Sequence, residues 1–315
     1  MIPDWLTPTI LTIVTASTPL VFAAIGEIVA EKAGVLNLGI EGMMIVGAIA
    51  AFAVGVTTGS AALAILGGAT AGIGMALIFG ILTLNLMANQ VATGLALTLF
   101  GLGLSALIGH SYVGIPFSGL PLLQIPFLSG LPLIGPIIFG QDIMFYLSVA
   151  SVVLVSILLN KTRWGLLLRA VGENHDAAYS IGYSVNFIRM MAVLFGGAMA
   201  GLGGAYLSLA YTPLWAENMT AGRGWIALAL VVFASWKPTR AFLGAYLFGG
   251  ITIVQLHGQA LGIAVAPQVM SMLPYLATII VLVLISRDTS KVLLKAPACL
   301  GRSFNKHSLE YSSNG

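Results

Sequence analysis

Residues 42–80 read GMMIVGAIAAFAVGVTTGSAALAILGGATAGIGMALIFG, and they open a run from Gly42 to Gln141 that contains no Asp, Glu, Lys or Arg. A run of this length cannot be the core of a water-soluble domain, because such a domain needs a polar surface around its core. A helix crosses the hydrocarbon layer of roughly 30 Å with about 20 apolar residues. The run therefore has room for several crossings, and it predicts an integral membrane protein.

The composition of the whole chain supports this prediction. Charged residues make up 7% and hydrophobic residues 58%, with a mean hydropathy of +1.02, whereas about a quarter of an average soluble domain is charged. The stretches SVASVVLVSILL (148–159) and YLATIIVLVLI (275–285) do not alternate as barrel strands would. We expect an all-α polytopic membrane protein with about eight transmembrane helices and possible re-entrant or broken segments. One transmembrane domain is expected over 1–286, followed by a disordered cytoplasmic tail over 287–315.

The basic residues fall into separate groups, and this grouping predicts the orientation. Cytoplasmic loops carry an excess of Lys and Arg, so each group is expected on the cytoplasmic side. Two spans between successive groups would keep all of them on that side. The same alternation places the N-terminus and the Pro-rich stretch 112–141 outside. The groups lie at 161–189, at 237–240 and from 287 onward, and the spans expected between them are 189–210, 224–236, 241–256 and 272–286.

Glycine is the other compositional signature, with 38 residues in the chain. The stretch GGAMAGLGGA (196–205) places Gly197, Gly201 and Ala205 on one helix face, and GLGLSALIG (101–109) repeats this spacing. Small residues at every fourth position let membrane helices approach closely. We expect a packing role for most of these glycines.

The polar segment 161–189 reads KTRWGLLLRAVGENHDAAYSIGYSVNFIR. Asn174 is a favourable N-cap for a short helix over His175–Ile181, and Gly182 can end that helix in the left-handed conformation. An ordinary solvated loop is the alternative, but a simple connection between spans needs only about five residues. The helix carries an apolar stripe, Ala177, Ala178 and Ile181, which suits docking into a groove on a partner.

Four segments resemble one family of transport proteins. RAVGENHDAAYSIGYSV (169–185) resembles the cytoplasmic coupling loop of permease subunits of bacterial ATP-binding-cassette (ABC) importers, in the branch that serves simple sugars, nucleosides and branched-chain amino acids. The likeness extends in order from about Thr18 to Ser286. The supporting segments are GEIVAEKAGVLNLGIEGMMIVGAIAA (26–51), ATGLALTLFGLGLSALIG (92–109) and ENMTAGRGWIALALVVFASWKP (217–238).

The resemblance implies a multi-pass permease subunit in the bacterial inner membrane, surrounded by lipid, which imports a small polar solute. Nucleosides are the expected solute; ribose-like sugars and branched-chain amino acids are the alternatives. The implied partners are a cytoplasmic ATP-binding subunit that holds ATP and Mg²⁺, a second permease subunit and an extracytoplasmic solute-binding protein. The residues implied for ATPase coupling are Arg169, Gly172, Glu173, Asn174, Asp176, Ala177, Ala178, Ile181 and Gly182.

Polar residues in or beside the spans are candidates for the translocation path. Acidic residues at membrane depth are costly and usually face a cavity or a partner, and broken backbone there is tolerated only inside protein or beside water. Glycines interrupt the segment that contains Asn37 and Glu41, which makes these two residues the best candidates. The alternative is that these side chains have no function. Glu27 would then lie at a hydrated cytoplasmic end, and Asn85, Asn89 and Gln90 would lie at a cytoplasmic turn. The full path set is Glu27, Asn37, Glu41, Asn85, Asn89 and Gln90.

A further polar group is expected at the outer turn. Glu217, Asn218 and Arg223 could form a gate or a docking contact for the solute-binding protein, or a plain surface pair. Trp225 beside them also suits an interface anchor.

Other chemistries find no support in the sequence. There is no G-x-x-x-x-G-K-[ST] phosphate loop and no G-x-S-x-G motif. The histidines lack a second ligand at helical spacing, so no metal site is expected, and the scattered basic residues do not suggest nucleic-acid binding. We expect no enzyme activity in this chain alone. The rival from another class is a stand-alone ion-coupled transporter with Glu27, Glu31 and Glu41 as its relay.

Overall fold

The computed structural model describes residues 5–123, 135–260 and 296–305, with single residues between 269 and 283. The described part is helical and contains no β-strand. Short π-helical turns, Ile81–Asn85 and Leu207–Tyr211, continue α3 and α8. The α-helices are α1 (Leu6–Lys32), α2 (Ile40–Thr58), α3 (Ala61–Gly80), α4 (Gln90–Gly109), α5 (Ile143–Lys161), α6 (Arg163–Glu173), α7 (His175–Ser180), α8 (Val185–Tyr206), α9 (Arg223–Phe233) and α10 (Pro238–Ala260).

Seven helices of the described residues are long and apolar enough to cross a membrane: α1 to α5, α8 and α10. The prediction of an all-α polytopic membrane protein is confirmed. The expected span 224–236 corresponds to α9, which is apolar but has only 11 residues. The expected span 272–286 lies largely outside the described residues.

Helices α1, α2, α3 and α8 pack together at the centre of the bundle through small residues. A Cβ on Gly204 would lie 1.8 Å from the Met44 oxygen, and one on Gly201 would lie 2.2 Å from the Gly68 oxygen. These distances leave no room for a side chain, so the backbones of α8, α2 and α3 touch directly. The predicted packing role of the 196–205 glycines is confirmed.

One end of the bundle carries Lys32, Arg169 and Arg189 and is called the basic end. Residues 296–305, part of the range for which the sequence predicts a disordered tail, pack against this end. The Cys299 N–H donates to the Gly172 oxygen at 2.9 Å, and the Gly301 N–H donates to the Gly34 oxygen at 3.2 Å. This C-terminal segment therefore joins the loop after α1 to α6.

The short helix α9 runs from the basic end to about half the depth of the bundle. Trp236, just after α9, donates its indole N–H to Glu31 Oε2 at 2.5 Å, and Lys32 Nζ lies 5.6 Å from the centre of the Trp236 ring. These contacts fix the C-terminal side of α9 at the basic end. Eleven residues span about 16 Å as a helix, roughly half of a 30 Å hydrocarbon layer. The N-terminus of α9 therefore lies near mid-depth.

Candidate functional site

Glu41, in the first turn of α2, binds the N-terminal side of α9. Its Oε1 accepts hydrogen bonds from the Thr220 hydroxyl at 2.5 Å and the Gly222 N–H at 2.8 Å, and its Oε2 accepts one from the Gly224 N–H at 2.6 Å. The first N–H groups of a helix have no partner within that helix, and the partial positive charge at this end favours an anion. The buried carboxylate therefore stabilises a half-helix that begins inside the bundle.

Gly224 permits this approach. A Cβ on Gly224 would lie 2.7 Å from the backbone N and Cα of Glu41 and 2.8 Å from Glu41 Oε2. Real side chains do not come that close, so any larger residue would push α9 away from α2. Glu41, Thr220, Gly222 and Gly224 together form the Glu41 site.

A cavity of about 660 Å³ borders the Glu41 site and is called the Glu41 cavity. Trp225 is 48% exposed, and Asn218 is also exposed. An amide pairs with polar ring edges and an indole stacks on a flat face, while apolar side chains cover the rest. The lining residues are Glu41, Leu102, Asn218, Ala221, Gly222, Trp225, Ile226 and Ala229.

The predicted pair of Glu217 and Arg223 is not an ion pair in the described part of the chain. Arg223 donates from Nη1 to the Met219 oxygen at 2.9 Å, and its guanidinium carbon lies 5.3 Å from the centre of the Tyr211 ring. Glu217 is exposed. After α8 the chain turns inward toward Glu41. As a result, Arg223 contacts neighbouring residues of the same stretch of chain and not Glu217.

Three of the predicted path residues hold the broken segment 33–39 together. Glu27 Oε1 accepts from the Asn37 N–H at 3.2 Å, Asn37 Oδ1 accepts from the Gly39 N–H at 2.9 Å, and Gln90 Oε1 accepts from the Leu36 N–H at 2.8 Å. Glu27, Asn37 and Gln90 are all buried. Buried backbone groups need partners, and these side chains supply them.

Asn85 and Asn89 lie at the basic-end side of α3 and α4, and both are exposed. Asn89 is the N-cap of α4 and accepts from the Ala92 N–H at 3.0 Å. Of the predicted path and gate residues, the structure brings Glu41 and Asn218 to the Glu41 cavity.

The short helix at the basic end matches several predictions. Asn174 is its N-cap and accepts from the Ala177 N–H at 3.0 Å, and Gly182 has φ +94°. The helix spans His175–Ser180 and is one residue shorter than expected. We call α7 the coupling helix, after the loop that 169–185 resembles.

The expected apolar stripe of this helix is divided between two faces. Ala178 is buried against Val171, Val185 and Phe304, whereas Ile181 is 73% exposed and Ala177 also faces outward. The stripe was inferred from helical spacing, but the helix ends before Ile181 and packs through Ala178 against the C-terminal segment. The outward face of α7 is therefore Ala177 and Ile181.

The other predicted coupling residues shape the segment around α7. A Cβ on Gly172 would lie 2.1 Å from the Lys32 oxygen, so only glycine fits there. Glu173 Oε2 accepts from the Ala298 N–H at 3.4 Å, and Arg169 Nε donates to the Gly165 oxygen at 3.3 Å. Asp176 is exposed, with Oδ1 3.5 Å from His175 Nε2.

The sequence reasoning missed two groups of residues that the structure places in buried contacts. Thr220, Gly222 and Gly224 bind Glu41, from which they are separated by more than 170 residues in the sequence. No local sequence pattern predicts this contact. Arg189 was used only for orientation, yet it is fully buried. A signal for Arg189 was available, because an ionisable residue that opens an apolar span is commonly functional.

The fold is that of a multi-pass membrane protein with a half-helix that begins beside a cavity. A family model described as branched-chain amino acid transport system / permease component matches residues 9–283, and the chain belongs to this family. It is thus a multi-pass permease subunit of an ABC transporter and not an enzyme. Membership implies association with ATPase and solute-binding partners. It also decides against a stand-alone ion-coupled transporter.

Three relatives illustrate the family. The chain is 41% identical over 315 residues to a putative glucose ABC transporter permease, TsgC13, of Haloferax volcanii, covering 93% of this chain and 96% of the relative. It is 36% identical to the nucleoside permease NupC of Lactococcus lactis subsp. cremoris, covering 85% and 89%. It is 32% identical to the guanosine permease NupQ of Bacillus subtilis, covering 84% and 88%. No solved structure matches the chain.

Proposed function

We propose that this chain is the permease subunit of an importer of nucleosides. The importer lies in the plasma membrane, which in bacteria is the inner membrane. The observation that carries the solute class is the Glu41 cavity, where the Asn218 amide and the Trp225 indole lie beside apolar side chains. A nucleoside base offers polar edges and a flat face to these groups, whereas ribose offers hydroxyls alone. Relatives named as nucleoside and guanosine permeases support the same class.

The outward face of α7 is the proposed docking surface for the ATP-binding subunit. Ile181, 73% exposed, and Ala177 present a small apolar surface to a groove on that subunit, which would hold ATP and Mg²⁺. A second permease subunit completes the path, and a solute-binding protein delivers the nucleoside on the side of Glu217. ATP binding then moves α7, and the path between the two permeases opens to the other side.

Competition for uptake tests the solute class. The complex is reconstituted in proteoliposomes with its ATPase and solute-binding protein, and uptake of labelled uridine is measured against excess adenosine, glucose, ribose and leucine. We expect adenosine alone to compete. Trp225→Ala should reduce uridine uptake at least fivefold, whereas the control Trp5→Ala, an exposed tryptophan before α1, should not.

A simple sugar is the second candidate, because the Haloferax relative is named a putative glucose permease. Transport of glucose without uridine in the same assay would establish it, and transport of leucine alone would place the chain with amino-acid permeases.

Co-purification tests the docking surface. Ile181→Asp places a charge in the proposed apolar contact, and we expect the ATPase subunit to be lost from the purified complex. Val113→Asp is the control, because Val113 is 62% exposed and lies after α4, away from α7. An ATPase that remains bound to the Ile181→Asp variant would exclude this surface.

A further inference from the structure

Arg189 lies near the start of α8 with its side chain fully buried at the basic end. Its Nε donates to the Ala33 oxygen at 3.1 Å and its Nη1 to the Arg302 oxygen at 2.9 Å. Its Nη2 lies 3.0 Å from Nδ1 of His175, the first residue of α7. One buried guanidinium therefore joins the loop after α1, the coupling helix and the C-terminal segment.

The coupling helix depends on these neighbours for its position. It has six residues, far fewer than an isolated helix needs for stability in water. The Phe304 ring centre lies 5.3 Å from that of His175 and 5.4 Å from that of Tyr179. Ala178 packs into the same cluster. The C-terminal segment and Arg189 thus fix α7 from its inner side and leave Ile181 free outside.

On its other side, Arg189 is connected to the Glu41 site. Ala33 opens the broken segment 33–39, whose backbone is bonded to Gln90 and Glu27. The segment leads into α2, where Glu41 binds the start of α9. The backbone from Ala33 to Glu41, which is hydrogen-bonded to Gln90 and Glu27 on the way, therefore connects the carbonyl held by Arg189 to the wall of the Glu41 cavity.

We propose that Arg189 is a positioning residue that transmits movement of α7 to the Glu41 site, with Phe304 as the second anchor of α7. The inference rests on the proposed docking of the ATPase on α7. A displacement of α7 moves the His175 ring and the guanidinium that is bonded to it. The same guanidinium holds the Ala33 carbonyl, so the loop before Glu41 shifts with it. A planar guanidinium can bind three groups in fixed directions, whereas the compact ammonium of lysine cannot reproduce that arrangement.

The first test compares Arg189→Met and Arg189→Lys in the reconstituted complex. The readout is solute moved per ATP hydrolysed, measured per assembled complex. We expect the ATPase to remain bound in both variants. Arg189→Met should lower the ratio of solute moved to ATP hydrolysed at least tenfold. The ratio for Arg189→Lys should lie between that of Arg189→Met and that of the native chain. A role in folding alone would lower the yield of complex and leave the ratio unchanged, and that result would overturn the inference.

Truncation supplies a second test if Arg189→Met yields no complex. Ending the chain after Lys295 removes Arg302 and Phe304, whereas ending it after Asn305 keeps both. We expect the first truncation to lower the ratio at least fivefold and the second to leave it native; equal ratios would overturn the inference. If Ile181→Asp keeps the ATPase bound, the proposed docking fails. If Ile181→Asp releases it while Arg189→Met and the truncations keep the native ratio, only the role of Arg189 fails.

Discussion

Glu41 and Arg189 are both buried charged residues with three hydrogen-bonding partners each, but they organise the protein differently. The partners of Glu41 all come from one short stretch, 220–224, so the carboxylate stabilises a single helix end. The partners of Arg189 come from three separate segments, so the guanidinium holds these segments together. The anion fixes one helix end beside the cavity, and the cation joins three segments at the basic end.

Removing the charge of Glu41 should give the largest effect. In Glu41→Gln an amide NH₂ faces N–H donors, and hydrogen bonds to a charged group contribute about 1.5–3 kcal/mol each. We expect uptake per complex to fall more than tenfold. Glu27→Gln is the control, because Oε1 accepts a single N–H that an amide oxygen can also accept, and Oε2 has no partner among the described residues. Equal losses in both variants would show that Glu41 is no more than another buried polar residue.

Displacing α9 without changing the charge should have a smaller effect. Gly224→Ala places a Cβ 2.7 Å from the Glu41 backbone, and overpacking of this kind costs about 1–3 kcal/mol. We expect uptake to fall severalfold, with a lower melting temperature in detergent. Gly250→Ala in α10 is the matched control, since a Cβ there meets nothing within 4 Å. Native uptake by the Gly224→Ala variant would contradict a tight contact between α9 and Glu41.

Acidification acts on the Arg189 side through His175, and we expect this effect to be the smallest. Burial and the Arg189 guanidinium lower the pKa of His175 from 6.5; Arg302 acts in the same direction and Asp176 opposes them. The neutral His175 ring accepts a hydrogen bond from Arg189. The contribution of this bond to the stability of the folded protein is complete above pH 6.5. It is lost as the pH falls from 6.5 to the lower pKa of the folded protein.

The melting temperature measures this loss. Between pH 7.5 and 5.5 we expect the melting temperature of the native complex to fall further than that of the His175→Asn variant, in which the side-chain oxygen replaces the ring nitrogen as acceptor and does not titrate. An identical pH dependence in both proteins would show that the bond between His175 and Arg189 contributes nothing.

The sequence predicted what depends on local chemistry. The N-cap of Asn174 and the left-handed Gly182 follow from preferences of single residues, and the close packing of Gly201 follows from helical spacing. The multi-pass helical fold follows from the uncharged run after Gly42, because lipid leaves few other solutions for the backbone.

Contacts between distant segments could not be predicted in this way. Helical spacing could not show that Ala178 faces inward, because Phe304, which covers it, lies far along the chain. Helical spacing also could not show which of Glu41 and Glu27 lies at a cavity. Both belong to broken backbone, and only the position of α9 brings one of them to a cavity. The predicted pair of Glu217 and Arg223 failed for the same reason, since the turn that separates them is set by Glu41.

The C-terminal segment also dictates an order of events during synthesis. Arg189 and Arg302 are 113 residues apart, which a ribosome making 5–20 residues per second adds in roughly 6–23 s. During that interval the coupling helix has been made, but Phe304 and the Arg302 carbonyl do not yet exist. The helix therefore reaches its final position only after the residues up to Phe304 have been translated. An ATP-binding subunit that recognises only the positioned helix would not bind nascent permeases that still lack Phe304.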